Sequence, residues 1–458
     1  MSGGRPYPRL PSLHSVVAGI GWPAIGSDAA AHRQSLLFQL EHSQWLSSEE
    51  LQEHQLMQLK SLLRHAVSTV PHYAESFCDR DIDGMDWAAF ETLPMLDRKD
   101  LQADFSTLRS SAVPTSHGKV VEGQSSGSTG TPVRFLGTAA TQLFWEVLTL
   151  REHLWQRRDF AGKLAAIRIK VEDAHFPDWG APVATISRSG PAATLSIRTD
   201  VAAQLDWLRR EDPDYLITHA SNLGALAQLA AERGIRLPRL RQARTYSEAL
   251  RPGLRAAVRT TWGVEIADVY SCEEAGVIAL QCPDHANGEH YHIQSENLVV
   301  EILDEQGRPC TPGQTGEVVL TTLHNFAMPL IRYRIGDHAE VGAPCACGRG
   351  LPVLRRIHGR QRNMVVLPDG RRHWPSFPAE LWTEVAPVEQ FRLVQHSRDE
   401  IEACYVMARE LGADEAARIV AALQERFGCP FRILLKRVDA IERGPGYKFE
   451  DFVSLLTS

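Results

Sequence analysis

From Gln124 to Phe135 the chain reads QSSGSTGTPVRF, a run of glycines and hydroxyl side chains with no acid among them. Without Cβ obstruction, successive backbone N–H groups can turn together toward an anion, and serine and threonine hydroxyls add further donors. Such a run suits phosphate; a flexible Gly/Ser linker is the bland alternative. It lacks the G-x-x-x-x-G-K-[ST] spacing and its lysine, so it is not the usual P-loop. A second set of chemistry-bearing residues is rich in sulfur. Cys282, in QCPDHANGEHYH, precedes His285, His290 and His292, and PCACGRG adds Cys345 and Cys347. Three thiolates and one imidazole would make a closed tetrahedral metal site, a structural brace with no open position; free cysteines filling a core are the ordinary alternative. No Ser/His/Asp order, G-x-S-x-G elbow or G-x-G-x-x-G after a strand competes with these two sets.

The elements that must position them can be read from periodicity. Residues 45–77 repeat apolar side chains at helical spacing, with Ser47 or Ser48 ahead of acids as the N-cap and a stop before Pro71. After the hydroxyl-rich run, TAATQLFWEVLTLREHLWQ predicts another helix, whose Phe144 and Trp145 belong to a core or to a pocket wall. The middle alternates strands (LAAIRIKV, PDYLITHA, residues 266–270) with helices (SNLGALAQLAAERG, residues 251–262), the pattern of α/β layering. Two strands follow around a Gly/Pro-rich turn in ENLVVEILDEQGRPCTPGQTGEVVLTTL. Beyond residue 360 the style changes to a hairpin over 363–374, a helix, strands at 390–395 and 401–407, an amphipathic helix over 414–427 and a last strand, FRILLKRV.

A chain of 458 residues exceeds one ordinary core, and 43% hydrophobic with 23% charged residues is the composition of a soluble globular protein. A net charge of −7 supplies no broad basic surface, which argues against nucleic acid or an anionic membrane as partner. No apolar run reaches the length of a secretory h-region or a membrane span. Eight unevenly spaced cysteines point to a reducing compartment, so the cytoplasm is the expected location.

Several motifs in order carry a more specific signal. SSGSTGTP, YSEAL at 246–250, YSCEE at 270–274, GEVVLTTL at 316–323, YRIGD at 333–337, HGR at 358–360 and GPGYK at 444–448 resemble the motifs of the adenylate-forming (acyl/aryl-CoA synthetase) superfamily. WLSSEELQEHQLMQLKSLLRHAVSTVPHY and LPMLDRKDL are similar to the N-terminal pattern of its phenylacetate-CoA ligase branch, which includes capsule-biosynthesis relatives. The likeness runs from about Trp45 to Lys448.

The resemblance implies roles. Ser125, Ser126, Gly127, Ser128, Thr129, Gly130 and Thr131 would hold the β- and γ-phosphates of ATP. Tyr246, Ser247, Glu248 and Ala249, with Tyr270 and Ser271, would frame the adenine. Glu274 would hold Mg²⁺, Asp337 the ribose hydroxyls, and Arg360 belongs to the same ATP site. Lys448 would be the catalytic lysine that reaches the carboxylate and the α-phosphate. Arg362 stands where relatives have a hinge Asp or Lys, beside Asn363 in place of an acid; Thr131 stands where many relatives carry lysine. Some members hold a structural zinc, and aligning HIQSENLVVEI with that pattern selects His292 over His290 to join Cys282, Cys345 and Cys347.

The expected fold is therefore α/β: a large N-terminal adenylate-forming domain with layered α/β sheets over residues 1–359, and a small mobile α+β C-terminal domain over 360–458. The expected activity is ATP-dependent adenylation of a carboxylic acid, by analogy aromatic, with transfer of the acyl group to coenzyme A. Transfer to an amine or hydroxyl, or nucleotide binding without turnover, are the alternatives. Small molecules are the expected partners, and a homodimer is compatible with the sequence.

Overall fold

The computed structural model describes residues 13–125, 132–284, 288–375, 377, 380–444 and 447–456. The helix expected over 45–77 forms as two, Ser48–Thr69 and Pro71–Ser76. Ser47 caps the first: its hydroxyl accepts from the Glu50 N–H at 3.2 Å while the Glu50 carboxylate accepts from the Ser47 N–H at 2.8 Å. Reciprocal capping of this kind is worth about 1 kcal/mol. Pro71 breaks the helix and starts the next one at its first turn, where a missing N–H costs nothing. Leu59, Leu62, Leu63 and Ala66 form one buried stripe, packed with sheet residues such as Val318, Leu320 and Tyr333.

The layers are built on one twelve-stranded sheet. From one edge, strands Leu298–Leu303, Thr315–Thr322, Tyr333–Val341, Val353–Arg360, Tyr291–Ile293, Gly276–Gln281 and Glu265–Cys272 pair antiparallel. Gln242–Tyr246, Tyr215–His219, Leu164–Arg168 and Ala192–Ser196 continue in parallel, and Ala174–Phe176 closes the far edge antiparallel. Helices Val201–Glu211, Ala220–Glu232 and Leu254–Trp262 cover one face of the parallel part, and Ala139–Trp155 lies on the other. The parallel strands end at Arg168, His219, Tyr246 and Cys272, so their carboxyl ends open on one crevice, the usual ligand position in such sheets.

A smaller four-stranded sheet carries the last part of the chain, in the order Arg432–Arg437, Glu400–Val406, Gln390–Gln395, Phe452–Ser454. Helix Ala413–Phe427 buries Ile419, Leu423 and Phe427 against it, and Trp382 stacks on Phe391 with ring centres 5.0 Å apart. Phe452–Ser454, a strand the sequence did not suggest, pairs parallel with Gln390–Gln395. Among the described residues no helix is long and apolar enough to cross a membrane.

Candidate active site and metal centre

The crevice beyond the parallel strands widens into a cavity of about 1690 Å³ that reaches from the hydroxyl-rich run to the small sheet. Ser125, Glu248, Tyr270, Glu274, Asp337 and Lys448 all line it; so do Tyr246, Ser247, Ala249, Ser271, Arg360 and Arg362. Ser126, Gly127, Ser128, Thr129, Gly130 and Thr131 lie outside the described residues, as does His285. At the foot of that run the hairpin Val120–Gln124 and Arg134–Thr138 is closed by Ser125, whose N–H donates to the Val133 carbonyl at 2.8 Å and whose hydroxyl accepts from the Val133 N–H at 2.9 Å.

Strand register brings the acidic group of the site together. Asp337 and Arg360 are paired across neighbouring strands, and their side chains form an ion pair at 3.1 Å. The Tyr270 hydroxyl donates to the other Asp337 oxygen at 2.9 Å. Burial pushes the Tyr270 phenol well above its usual range, and Asp337 adds to the shift. Burial works against the Arg360 guanidinium, but Asp337 and Glu274 outweigh it and raise its pKa. Glu274 is buried, accepts from the Tyr333 hydroxyl at 3.4 Å and lies 4.0 Å from Arg98. Arg98 and Tyr333 stand in quoted motifs, LPMLDRKDL and YRIGD, yet neither has a role legible from the sequence alone.

The turn after strand Gln242–Tyr246 is the opposite wall. Ser247 has φ 71°, a left-handed conformation that costs a non-glycine residue about 1 kcal/mol and holds the turn in one shape. Glu248 accepts from the Ser221 N–H at 2.7 Å and from the Phe449 N–H at 2.9 Å, thereby joining the start of helix Ala220–Glu232 to the segment bearing Lys448. Arg443 donates to the Ser221 hydroxyl at 2.8 Å, and Arg251 pairs with Asp451 at 2.8 Å. The Lys448 ammonium is close enough to Glu273 and His219 to perturb both. Arg362 is itself tied, donating to Glu450 at 3.0 and 2.8 Å, and Asn363 donates to Glu450 at 3.2 Å and to the Phe452 carbonyl at 2.8 Å.

The sequence reading missed the inner wall. Helix Ala139–Trp155 carries Glu152, which is buried and accepts from Arg158 at 2.6 and 2.7 Å, with Arg244 at 3.2 Å. Burial opposes the Glu152 charge, but Arg158 and Arg244 hold its pKa down at about 2. The available signal was an arginine inside an apolar strand, in LAAIRIKV and in QARTY, since a charge there needs a partner or a ligand.

Beside the cavity wall at His290 and Tyr291, the sulfur-rich residues converge. Ligand atoms of Cys282, His292, Cys345 and Cys347 all lie within 4.8 Å of one another. Cys347 Sγ is 3.4 Å from His292 Nε2, and Cys282 Sγ is 3.9 Å from Cys345 Sγ. These spacings fit the edges of a tetrahedron with zinc–sulfur bonds of about 2.3 Å and zinc–nitrogen bonds of about 2.0 Å. Burial pushes the Cys282 thiol up to about 12 and takes His292 down to about 4, so the imidazole is neutral and free to ligate. Burial also opposes the Cys347 thiolate, but hydrogen bonds from Arg349 outweigh it and lower its pKa. His290 contacts Cys345 Sγ through Nε2 at 2.9 Å and stands beside the four-residue set.

Three further histidines are held neutral, and this sets an acid limit on stability. Burial takes His153 to about 3, and His324 and His358 to about 4. In the unfolded chain each binds a proton near pH 6.5. Below that pH the unfolded state therefore binds more protons than the folded state, and stability is lost as pH falls from about 6.5 toward about 4. Thermal midpoints should hold nearly level from pH 7.5 to about 6.5 and decline from there to pH 4.5; a profile flat throughout would contradict neutral burial.

No protein-family model matches the chain. Curated relatives do: it is 25% identical over 342 residues to the phenylacetate-coenzyme A ligase of Aromatoleum evansii, covering 72% of this chain and 74% of that one. It is 25% identical over 360 residues to the phenylacetate-coenzyme A ligase of Pseudomonas putida, covering 77% and 79%. Among solved structures, a 2-hydroxyisobutyryl-CoA ligase in its postadenylation state with 2-HIB-AMP superposes with a TM-score of 0.71 over 90% of this chain and 91% of that one, at 17% identity. In sequence the chain is similar to phenylacetate-coenzyme A ligases, and it shares the fold of that 2-hydroxyisobutyryl-CoA ligase.

Proposed function

We propose that the protein is an ATP-dependent acid ligase that forms an acyl-adenylate and passes the acyl group to coenzyme A. The observation that carries this reading is the convergence of Ser125, Glu274, Asp337, Arg360 and Lys448, from distant parts of the chain, on one cavity. A substrate carboxylate oxygen attacks the α-phosphorus of ATP; the new C–O–P anhydride forms as the bond to pyrophosphate breaks. Lys448, which lines that cavity, would balance charge on the carboxylate and the α-phosphate. Asp337, held by Tyr270 and Arg360, offers acceptor oxygens to the ribose. Glu274 would hold Mg²⁺, which supplies charge neutralisation on the phosphates when bound. Trp145, Phe176 and Trp179 line the cavity, and their flat apolar faces suit an aromatic acid.

Thioester formation then needs Lys448 withdrawn so that the coenzyme A thiolate can reach the acyl carbonyl and expel AMP. Residues 1–359 and 360–458 act in this reading as two bodies turning about Arg362, and its ties to Glu450 set the resistance. Cys282, His292, Cys345 and Cys347 would hold a zinc ion as a brace between strand Tyr291–Ile293 and the 345–347 turn.

Acid-dependent exchange of labelled pyrophosphate into ATP, run over a panel of aromatic acids, tests the first half-reaction. Product analysis with coenzyme A and with amines tests the second. Exchange followed by thioester formation is the expected result. ATP binding without exchange for any acid would make the protein a nucleotide binder.

A further inference from the structure

The inner end of the cavity holds more positive charge than its own partners neutralise. Arg244 lies two residues inside the carboxyl end of its strand, about 7 Å below the rim where Tyr246 and Ser247 stand. Glu152 is already matched by the two-pronged contact from Arg158, so Arg244 adds a second, half-buried guanidinium to one carboxylate. Its Nε is the atom that faces Glu152, 3.2 Å away but outside hydrogen-bond geometry. Arg168, at the carboxyl end of strand Leu164–Arg168 and across the intervening strand Tyr215–His219, lines the same cavity, its guanidinium carbon 5.9 Å from the Tyr246 ring centre. Among the described residues no carboxylate lies within ion-pair distance of Arg168. The buried Tyr246 hydroxyl finds no acceptor. His153 does not add a base, since Arg158 donates to its Nδ1 at 2.8 Å and burial keeps the ring neutral.

Other acids lining the cavity are engaged elsewhere. Asp178 accepts from the Gly180 N–H, Asp268 accepts from Thr245 and Tyr291, and Glu248 is taken by Ser221 and Phe449. Three cations, Arg158, Arg168 and Arg244, thus face one anion, beside a phenol that interacts with Arg168 and has no acceptor for its own proton.

We propose that the acid bound in this cavity carries a second anionic oxygen group at its far end, seated against Arg244, Arg168 and the Tyr246 hydroxyl. The assignment of the cavity to an acid rests on the adenylation reading above. An oxyanion accepts from both guanidiniums and from the phenol, which gives Arg168 a counter-charge, Arg244 one of its own beyond the shared Glu152, and the phenol an acceptor. Burial lowers the Arg244 pKa, Glu152 opposes that, and Arg158 and Arg168 reinforce it, so a bound anion is favoured there.

Matched acids decide the matter by binding, independent of turnover. Benzene-, phenylacetic- and cinnamic-type dicarboxylic acids are titrated calorimetrically into the full chain, each beside its monocarboxylic parent and its distal methyl ester. At least one diacid should bind at least about 10-fold tighter than both partners, the scale of a charge-assisted hydrogen bond. Arg168→Gln should erase that ratio and Arg168→Lys should restore part of it; Arg244→Gln should erase it too, and if that variant fails to fold the Arg168 pair carries the test. No diacid preference in any series, or a preference that survives Arg168→Gln, overturns the proposal. Diacid-selective binding without pyrophosphate exchange would support the pocket assignment while refuting adenylation.

Discussion

Replacing Lys448 by alanine is expected to slow acid-dependent pyrophosphate exchange by about 100- to 1000-fold, the usual loss when one preorganised charge leaves a transition state. ATP affinity, measured by titration in the absence of acid, should change by less than about threefold, because a group that acts mainly on developing charge contributes little to ground-state binding. The expectation is specific to geometry. Lys448 lines the cavity with Glu274 and Asp337, and the chain on either side of it is fastened: Arg443 to Ser221, Phe449 to Glu248, Asp451 to Arg251. The alanine variant should keep those three ties and lose only the ammonium. Exchange at the wild-type rate would remove Lys448 from the chemistry.

The second large effect is expected at the cysteines. Cys345→Ser should abolish stoichiometric zinc, read by elemental analysis, and lower the thermal midpoint by about 5–10 °C. Removing one of four ligands leaves the other three as buried thiols and an imidazole without a counter-charge, and the link between strand Tyr291–Ile293 and the 345–347 turn is lost. Cys310→Ser is the control: that cysteine is half-buried and stands outside the cluster, so metal content should stay at the wild-type value. Wild-type protein purified without zinc, or a Cys345→Ser protein that keeps it, would show that the four side chains merely pack together.

What could be read from the sequence divides along physical lines. Helices with a continuous apolar stripe and a capping signal, such as Ser48–Thr69 behind Ser47, carry their boundaries in local chemistry. The same holds for Cys345 and Cys347, whose spacing in one short turn restricts where two sulfurs can point. Strand Phe452–Ser454 was not legible, because three residues show no periodicity and its parallel partner lies far back in the chain. That one sheet runs through all twelve strands depends on Val353–Arg360 pairing with Tyr291–Ile293, a long-range contact without a local signature. The charged inner wall was hidden for a related reason: Glu152 on a helix and Arg244 on a strand look like separate surface residues until packing puts them 3.2 Å apart. Glu274, Asp337, Arg362 and Lys448 were singled out only through their motifs, and nothing in those motifs disclosed Arg98 beside Glu274 or Glu450 beside Arg362.

Glu248 gives two events a common currency. One carboxylate grips a helix start and the lysine-bearing arm at once, and it does so from the turn whose shape Ser247 fixes. Whatever occupies that turn and stiffens it also tightens the hold on the arm, and an arm that lets go returns freedom to the turn. Thermodynamic reciprocity makes the two factors equal, so occupancy at one end and docking at the other rise and fall by the same ratio.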